Sequence, residues 1–396
     1  MSFSAESQKI IVAGGGPVGA TAALSLASRG YRVTLVDRQR PLPGPSGFGI
    51  DVRNVALSPS SAALLSAVNA WPDQAAAYAK MRVWEERGTS RLDFDAASVN
   101  RSELGWLVEV APLLELLWQQ LEIEPNVEVV FGSISGVLAN NDEVRVALAD
   151  CESVDELHAD MLIASDGANS GVRRALKVPV RQWQTGQMAL TTLVRTQRNH
   201  ANTAWQRFLL DGPLALLPSV NPHVCSIVWS QSESQAQRRL ALSDDEFCQE
   251  LFRASEGCLG QTLEAGPRQA FPLNQQLAES AHPHSRVLLL GDALRVVHPL
   301  AGLGVNLGFE DLREMLQIAS PGTELVQNGL WDQFARRRFL RSEIMLRSLD
   351  GLKRLYGNDD PWIGWVRNLG VGWFGRRQWL QRKAIEEATG LHELSA

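Results

Sequence analysis

Residues 9–19 read Lys-Ile-Ile-Val-Ala-Gly-Gly-Gly-Pro-Val-Gly, and this stretch decides the fold class. Its first five residues form a short apolar run, which is typical of a buried parallel strand. Residues 20–28 are rich in Ala and Leu and predict a helix, and residues 32–36 predict a second strand. A strand, a glycine turn, a helix and a strand within about thirty residues form a βαβ unit. The sequence therefore predicts an α/β fold with a Rossmann-like domain.

The glycine turn has the spacing Gly14-x-Gly16-x-x-Gly19. Gly14 permits the tight turn, Gly16 lets the backbone approach a pyrophosphate, and Gly19 lets the helix pack closely on the strand. The helix N-terminus favours the phosphate charge. Asp37 ends the second strand, where its carboxylate would accept hydrogen bonds from a ribose. This pattern predicts a dinucleotide site, against the alternative of a turn that binds nothing, and does not separate NAD from FAD.

Two later apolar runs also end in turns that carry glycine and aspartate. Residues 159–164 lead into Ser165-Asp166-Gly167 and continue as Ala-Asn-Ser-Gly-Val-Arg to residue 173. Residues 286–290 lead into Gly291-Asp292-Ala293, and residues 298–306 follow as His-Pro-Leu-Ala-Gly-Leu-Gly-Val-Asn. We therefore expect one sheet that presents three loops to one ligand.

Residues 180–280 differ in character from this framework. Residues 214–218 and 224–230 are rich in β-branched and aromatic residues between turn signals, which predicts strands. We expect a second, β-rich region inserted into the first domain. Leu216, Trp229 and Phe271 are candidates for an apolar substrate pocket, and the alternative is that they are ordinary core residues.

Composition excludes several classes of protein. The chain has 396 residues and a net charge of -6, so no basic field attracts nucleic acid. Its four cysteines have no metal-ligand spacing, and no metal is expected. The first eight residues carry no secretory or transit pattern, and no apolar run approaches membrane-spanning length. We expect a cytoplasmic protein, at most peripheral to the cytoplasmic membrane.

The three motifs, in this order, resemble those of the class A FAD-dependent aromatic monooxygenases. Within them the chain is most similar to the ubiquinone-biosynthesis hydroxylases of the UbiH, UbiF and UbiI type, and most closely to the octaprenylphenol hydroxylases. The residues that carry this closer likeness are 52–57, 217–218, 225–230, 271–273, 298–309, 366–370 and 388–391. The resemblance implies a p-hydroxybenzoate hydroxylase-like fold. Its expected FAD-binding domain comprises residues 1–73, 105–178 and 284–349, its β-rich substrate domain residues 74–104 and 179–283, and a helical tail residues 350–396.

The resemblance also implies the cofactor and its contacts. FAD is bound non-covalently, NADH or NADPH reduces it, and O2 supplies the oxygen that hydroxylates a phenol. No catalytic side chain is named, and His298 is a candidate by position only. The residues expected at the cofactor are Gly14, Gly16, Pro17, Gly19, Asp37, Arg38, Arg53, Asp166, Gly167, Gly291, Asp292, Pro299, Gly302, Gly304, Val305 and Asn306.

The chain departs from the family pattern at two positions. Arg295 stands where the family has a His, and Leu303 stands between the two glycines where the family has a Gln. Leu303 has little consequence, because the loop backbone is what serves the flavin. Arg295 is a solvated helix residue, a cation near the flavin, or a sign of a different substrate.

The expected function is hydroxylation of a polyprenylated phenol in ubiquinone biosynthesis. The alternatives are the same chemistry on a soluble aromatic, a non-catalytic flavoprotein scaffold and, more weakly, an amine or amino-acid oxidase. Tryptophans alternate with basic residues from Trp362 to Lys383. This tail is expected either to contact a membrane or a quinone-biosynthesis complex, or to pack on the body of the protein.

Overall fold

The computed structural model describes residues 8–86, 91–151, 153–297 and 303–356, together with residues 379, 382, 383, 385 and 386. At its centre lies a parallel sheet of five strands: β1 (Lys9–Ala13), β2 (Arg32–Asp37), β10 (Val127–Phe131), β14 (Met161–Ala164) and β21 (Val287–Leu289). Their order across the sheet is β10-β2-β1-β14-β21. The strands predicted from the three apolar runs are confirmed, and they are three neighbours in this sheet.

The strands of the parallel sheet are apolar on both faces, and the face that includes Ile10 and Val12 is covered by helices. The helices packed on it are α1 (Pro17–Ala27), α3 (Val110–Ile123) and α7 (Leu303–Ile318). Helix α1 is buried along almost its whole length and contacts both α3 and α7. Leu26, Trp118 and Phe309, one from each helix, belong to one apolar core. This packing fixes where each helix begins relative to the sheet edge.

A second sheet of nine strands contains most of the β-rich region. Its strands are β7 (Lys80–Glu85), β8 (Arg91–Asp95), β15 (Val180–Thr196), β16 (Thr203–Leu209), β17 (Gly212–Pro218), β18 (Val224–Ser232), β19 (Thr262–Ala265), β20 (Gln269–Ala278) and β22 (Arg295–Val296). Their order is β22-β20-β15-β18-β17-β16-β7-β8, with β19 beside β15. The pairs are antiparallel except β16 with β7. The predicted strands at 214–218 and 224–230 are therefore confirmed.

The outer face of the nine-stranded sheet is closed by two helices, α5 (Glu233–Leu240) and α6 (Asp244–Ala254). Alternate residues of β15, β17 and β18 form an apolar core with Phe247 and Leu251 of α6. The residues between them point to the opposite face, because successive side chains of a strand alternate. That inner face is directed at the carboxyl edge of the parallel sheet, because residues from both line one cavity.

The remaining elements lie outside the two large sheets. They are β3 (Ser46–Gly47), β4 (Ile50–Asp51), β5 (Asn54–Leu57), β6 (Ala76–Tyr78), β9 (Gly105–Glu109), β11 (Ser133–Ala139), β12 (Val144–Ala149), β13 (Glu156–Ala159), α2 (Pro59–Ala67), α4 (Gly171–Ala175) and α8 (Asp332–Tyr356). Short 3-10 helices occupy Ala96–Val99 and Gly291–Ala293. Helix α8 runs through residue 350, where a helical tail was expected to start, and that boundary stays a prediction.

The other expected domain boundaries also stay a prediction, although two strands pair with strands assigned to the other domain. β6 lies in the segment assigned to the substrate domain but pairs with β9, next to β5. β22 lies in the segment assigned to the FAD-binding domain but pairs with β20 of the nine-stranded sheet.

Part of the C-terminal segment contacts the body of the protein. The Arg382 guanidinium donates to the Ser98 carbonyl oxygen at 3.0 Å, and Ile385 is buried with Ala96 and Leu104. Trp379 is exposed. Within the described ranges, no helix combines the length and apolar character that crossing a membrane requires.

Candidate active site

The three predicted turns meet at one edge of the parallel sheet. They follow β1, β14 and β21, whose carboxyl ends lie side by side. A cavity of about 450 Å³, here called the site cavity, lies between these turns and the inner face of the nine-stranded sheet. A second cavity of about 400 Å³ lies beside the glycine turn and is lined by Gly15, Gly16, Asp37, Arg38, Gln39 and Pro41. Gly16 lines both, so the two spaces adjoin at the start of α1.

The glycine turn is shaped by backbone contacts that leave no room for side chains. Gly14 has a φ of +97° and donates from its N–H to the Val36 carbonyl oxygen at 2.8 Å. A Cβ at Gly19 would overlap the Gly14 carbonyl oxygen and the Ser165 Oγ. A Cβ at Gly16, in contrast, would meet nothing within 4 Å. Gly14 and Gly19 are therefore required by protein packing, and Gly16 borders the open space.

The N-terminus of α1 has no side-chain cap. Gly16 is the N-cap residue, Pro17 follows it, and the first turn contains no acidic residue. The first N–H groups of a helix need acceptors, and here no side chain among the described residues caps them. A pyrophosphate fits this position, because free N–H groups and the helix dipole both favour an anion.

Trp118 of α3 supports the glycine turn, and the sequence interpretation missed this role. Its indole N–H donates to the Gly15 carbonyl oxygen at 3.0 Å. A Cβ at Gly15 would lie 2.5 Å from the Trp118 ring, so the middle glycine is also required. On the other side, the Gly15 N–H donates to Asp37 Oδ2 at 2.6 Å. The only sequence signal was an apolar Leu and Trp stripe in the helix, which equally describes a core.

Arg173 joins the second turn to the third. It is buried, and its guanidinium donates to the Ala293 carbonyl oxygen at 2.8 Å and to the Ala168 carbonyl oxygen at 2.6 Å. Burial lowers its pKa, although Asp166 partly opposes this. Asp166 Oδ2 accepts from the Val172 N–H at 3.1 Å, while its buried Oδ1 has no partner among the described residues. A ligand hydroxyl or N–H group would satisfy that atom.

The third turn presents Asp292 to the site cavity. Gly291 has a φ of +58°, and the Asp292 side chain is accessible from the cavity. Surrounding protein nevertheless desolvates this carboxyl and raises its pKa, with Arg295 lowering it and Asp311 raising it further. Gly308 of α7 lies against the turn and against α1, since a Cβ there would be 3.2 Å from the Gly291 Cα and 2.7 Å from Val18. A carboxylate that opens into a cavity is suited to hydrogen-bond a polyol.

Other expected cofactor residues are distributed around these turns. Gly167, Gly304 and Val305 line the site cavity, and Arg38 lines the second cavity. The Asn306 side chain donates to the Ala56 carbonyl oxygen and accepts from Ser58 and Ser61. It therefore ties α7 to α2, and direct contact with the cofactor stays a prediction.

Arg53 is half exposed and donates to the Leu42 carbonyl oxygen, so its role at FAD also stays a prediction. His298, Pro299 and Gly302 lie outside the described residues.

The residues on the substrate side of the cavity differ in part from those predicted for the substrate pocket. Phe271 lines the site cavity, and its contact with substrate stays a prediction, but Leu216 and Trp229 belong to the apolar core against α6. The prediction identified the two strands correctly but assigned Leu216 and Trp229 to the wrong face of the sheet. Neighbouring residues of a strand point to opposite faces, so the cavity is lined by the residues next to them. The residues of β15, β17 and β18 that line the cavity are Thr191, Ala215, Leu217 and Val228.

Arg295 is neither solvated nor helical, so that interpretation is wrong. It lies in β22, is 2% exposed, and forms an ion pair of 2.7 Å with Asp311 of α7. The strand places it directly after the third turn.

Solved structures with this arrangement define the class of fold. p-Nitrophenol 4-monooxygenase PnpA from Pseudomonas putida DLL-E4 aligns with a TM-score of 0.74 at 18% identity, over 96% of this chain and 99% of that one. PqsL from Pseudomonas aeruginosa, a probable FAD-dependent monooxygenase, aligns with a TM-score of 0.72 at 19% identity, over 92% and 99%. The fold is that of the class A FAD-dependent monooxygenases, and the p-hydroxybenzoate hydroxylase-like α/β architecture expected from the sequence is confirmed.

Sequence comparisons agree with this class. The family model described as FAD binding domain matches residues 7–347. The 3-demethoxyubiquinol 3-hydroxylase of Escherichia coli K12 is 32% identical over 97% of this chain and 98% of its own. The ubiquinone hydroxylase UbiL of Rhodospirillum rubrum is 29% identical over 97% and 90%. The chain belongs to the FAD binding domain family. It is a flavoprotein monooxygenase, and FAD is its cofactor, as the sequence motifs predicted.

The protein's own groups fit this cofactor. The second cavity, with Asp37, suits the adenosine ribose, the uncapped start of α1 suits the pyrophosphate, and Asp292 suits the ribitol hydroxyls. Bound FAD supplies the redox chemistry that inserts one oxygen atom of O2 into an aromatic ring. The chain must bind and orient both FAD and the aromatic substrate, and it must exclude water from the site.

Proposed function

We propose that this protein hydroxylates the ring of a polyprenylated phenol in ubiquinone biosynthesis, using NADH or NADPH and O2. The observation that carries the proposal is the lining of the site cavity opposite the cofactor turns. Most of that wall is apolar, with Asn54 and Thr191 as its polar members, and its apolar residues are Val55, Ala56, Ala215, Leu217 and Val228. An apolar wall suits a substrate that bears a long hydrocarbon chain better than a small aromatic acid, whose carboxylate would require a cation. Ubiquinone hydroxylases among the relatives support the same substrate class.

Thr191 is proposed to orient the phenol. It lies in β15 between cavity-lining strands, and its side chain is directed toward the cavity. No hydrogen bond joins its hydroxyl to another described residue, whereas the neighbouring Thr192 hydroxyl donates to Gly266 on the opposite face. A single hydroxyl in an apolar wall fixes one end of a phenol, because a polar substrate group without a partner would be costly to bury.

Phe271 is proposed to contribute to the entrance of the cavity. It lines the cavity and remains 45% exposed, so it reaches from the interior to solvent. An aromatic side chain at this position can cover the reacting ring while a hydrocarbon chain extends outward. His298 stays a positional candidate for proton transfer.

We propose peripheral contact with the cytoplasmic membrane through the C-terminal segment. The support is the exposed Trp379 near Arg382 and Lys383, since an aromatic ring beside cations suits the membrane interface. Arg382 and Ile385 contact the body at Ser98 and Ala96, which anchors this segment next to the substrate domain. Binding of the purified protein to anionic lipid vesicles, compared with a Trp379→Ser variant, tests the contact. Equal binding of both would contradict it.

Complementation tests the substrate. The gene is expressed in two bacterial hosts, one lacking octaprenylphenol hydroxylase and one lacking 3-demethoxyubiquinol 3-hydroxylase, and lipid extracts are analysed by mass spectrometry. The proposal expects one blocked precursor to gain one oxygen and quinone to return. The sequence resemblance favours the first host and the E. coli relative favours the second.

An Asp292→Ala variant is the control. Complementation by this variant without bound FAD would support the scaffold alternative instead. No product in either host, together with hydroxylation of a soluble phenol by the purified enzyme, would support the soluble-aromatic alternative.

A further inference from the structure

Arg295 belongs to a buried ionic cluster immediately behind the third turn. Its guanidinium donates to Asp311 Oδ2 at 2.7 Å and to the Leu307 carbonyl oxygen at 2.6 Å. Arg338 of α8 donates to the other oxygen, Asp311 Oδ1, at 2.5 Å. Asp311 is fully buried, and burial alone would raise its pKa. The two guanidinium groups outweigh that effect and keep the pKa of the carboxyl below its ordinary value.

The cluster is bonded directly to the backbone that carries Asp292. Asp311 Oδ2, the same oxygen that accepts from Arg295, also accepts from the Gly291 N–H at 2.9 Å. Gly291 adopts a positive φ of +58°, and the next residue is the carboxylate that enters the cavity. The conformation of the turn is thus connected through one carboxylate to α7 and α8.

We infer that Arg295 and Asp311 are positioning residues that hold the Gly291–Asp292 turn in the conformation required to bind FAD. Arg295 and the Gly291 N–H both donate to Asp311 Oδ2, so the carboxylate cannot rotate without breaking a contact. Arg338 fixes the remaining oxygen and shares its charge with Glu310 and Glu314, at 3.3 Å and 3.5 Å. The substitution that departs from the family pattern therefore acts on the cofactor turn.

Energetics favour positioning over simple stabilisation. A buried ion pair loses most of its attraction to the desolvation of its charges, and apolar residues of similar size often stabilise a protein as well. The Arg295 Nε is buried with no hydrogen-bond partner among the described residues, which adds to the cost. What an apolar residue could not supply is a fixed acceptor for the Gly291 N–H.

Arg286 provides a matched control at the opposite end of β21, the strand that leads into the third turn. It precedes β21, is 8% exposed, and donates to the Asp160 carbonyl oxygen at 2.8 Å. It is thus also buried and bonded to backbone, but it lies at the edge of the sheet remote from the cofactor turns. Arg286→Met and Arg295→Met remove the same guanidinium group, one before β21 and one after the third turn.

The test measures FAD affinity without substrate, so its outcome does not depend on the proposed function. FAD is removed from purified holoenzyme, and rebinding is titrated by quenching of flavin fluorescence. We expect Arg295→Met and Asp311→Asn to raise the Kd for FAD about tenfold or more, as loss of a charged hydrogen bond predicts. Arg286→Met should lower the melting temperature of the apoprotein and leave that Kd unchanged.

Two further variants keep the inference testable if Arg295→Met does not fold. Arg295→Lys keeps the charge but cannot bond both Asp311 and Leu307 with one fork, and Arg295→His restores the family residue. Both should release FAD from diluted holoenzyme at rates between those of wild type and Asp311→Asn. The inference is overturned if the Arg295 variants melt earlier but bind FAD with the wild-type Kd, because Arg295 would then be merely structural.

Discussion

The two walls of the site cavity are built by different means. The cofactor wall is formed mainly by the backbone of the three turns, and buried polar side chains such as Trp118, Arg173 and Asp311 hold these turns in place. On the substrate wall, side chains from the inner face of the nine-stranded sheet supply an apolar surface with one hydroxyl, that of Thr191. Backbone geometry demands particular residues, whereas an apolar surface accepts many. We therefore expect substitutions on the cofactor wall to abolish FAD binding, and substitutions on the substrate wall to change the affinity for substrate.

The largest effect is expected at the glycine turn. Gly19→Ala places a methyl group against the Gly14 carbonyl oxygen and the Ser165 Oγ, so α1 must move away from β1. FAD content of the purified protein, read from its visible absorbance, should fall to about a tenth of wild type or less. Gly136→Ala in β11 is the control, since its Cβ would make an ordinary 3.5 Å contact with Ala147. Full FAD content in Gly19→Ala would contradict the argument.

The next largest effects are expected at two neighbouring leucines, and they should differ in kind. Leu216→Ala empties part of the core against α6 and should lower the free energy of unfolding by about 2–5 kcal/mol. Leu217→Ala enlarges the site cavity instead, and should change KM and the coupling of NAD(P)H oxidation to product with a smaller loss of stability. Denaturant unfolding and steady-state kinetics on both variants measure this. If Leu216→Ala altered KM more than Leu217→Ala did, the assignment of the two faces would be refuted.

Asp292→Asn should have opposite effects on the apoprotein and the holoenzyme. Desolvation raises the pKa of Asp292 in the folded apoprotein, so the charged form opposes folding, and this cost grows as pH rises through the raised pKa. Asn removes the cost, and the apoprotein should melt higher at neutral pH. Its affinity for FAD should fall, because an amide accepts hydrogen bonds less strongly than a carboxylate.

Melting curves at pH 5 and pH 8, with and without FAD, test this prediction. The stabilising effect of Asp292→Asn on the apoprotein should shrink at the lower pH, where wild-type Asp292 gains protons. A variant that destabilised both forms alike would show that Asp292 is only structural.

The smallest effect is expected at Thr191. Thr191→Val keeps the shape of the side chain and removes one neutral hydrogen bond, so kcat/KM for the phenol should fall about three- to tenfold. FAD binding should not change. Thr192→Val is the control, since that hydroxyl bonds to Gly266 away from the cavity and its loss should affect stability alone. Recovery of activity in Thr191→Ser would support the hydrogen bond, and equal kinetics in all variants would exclude it.

The sequence by itself determined the framework and the cofactor. Apolar runs followed by glycine turns identified β1, β14 and β21, because buried parallel strands require apolar residues and phosphate contact requires residues without a Cβ. These demands are local, so Gly14, Gly19 and Asp292 could be located without coordinates. The likeness across the whole chain then separated FAD from NAD.

Only the tertiary structure decided what lies behind the turns and which face of a strand looks inward. Leu216 and Leu217 are equally apolar, and the alternation of a strand does not say which side faces the cofactor until helix α6 covers one of them. Arg295 reads as a surface residue until Asp311, sixteen positions later, accepts its hydrogen bond in the interior. Trp118 lies 103 residues from the Gly15 carbonyl that it supports. Each of these roles depends on contacts between distant segments, which chain folding creates and residue spacing does not record.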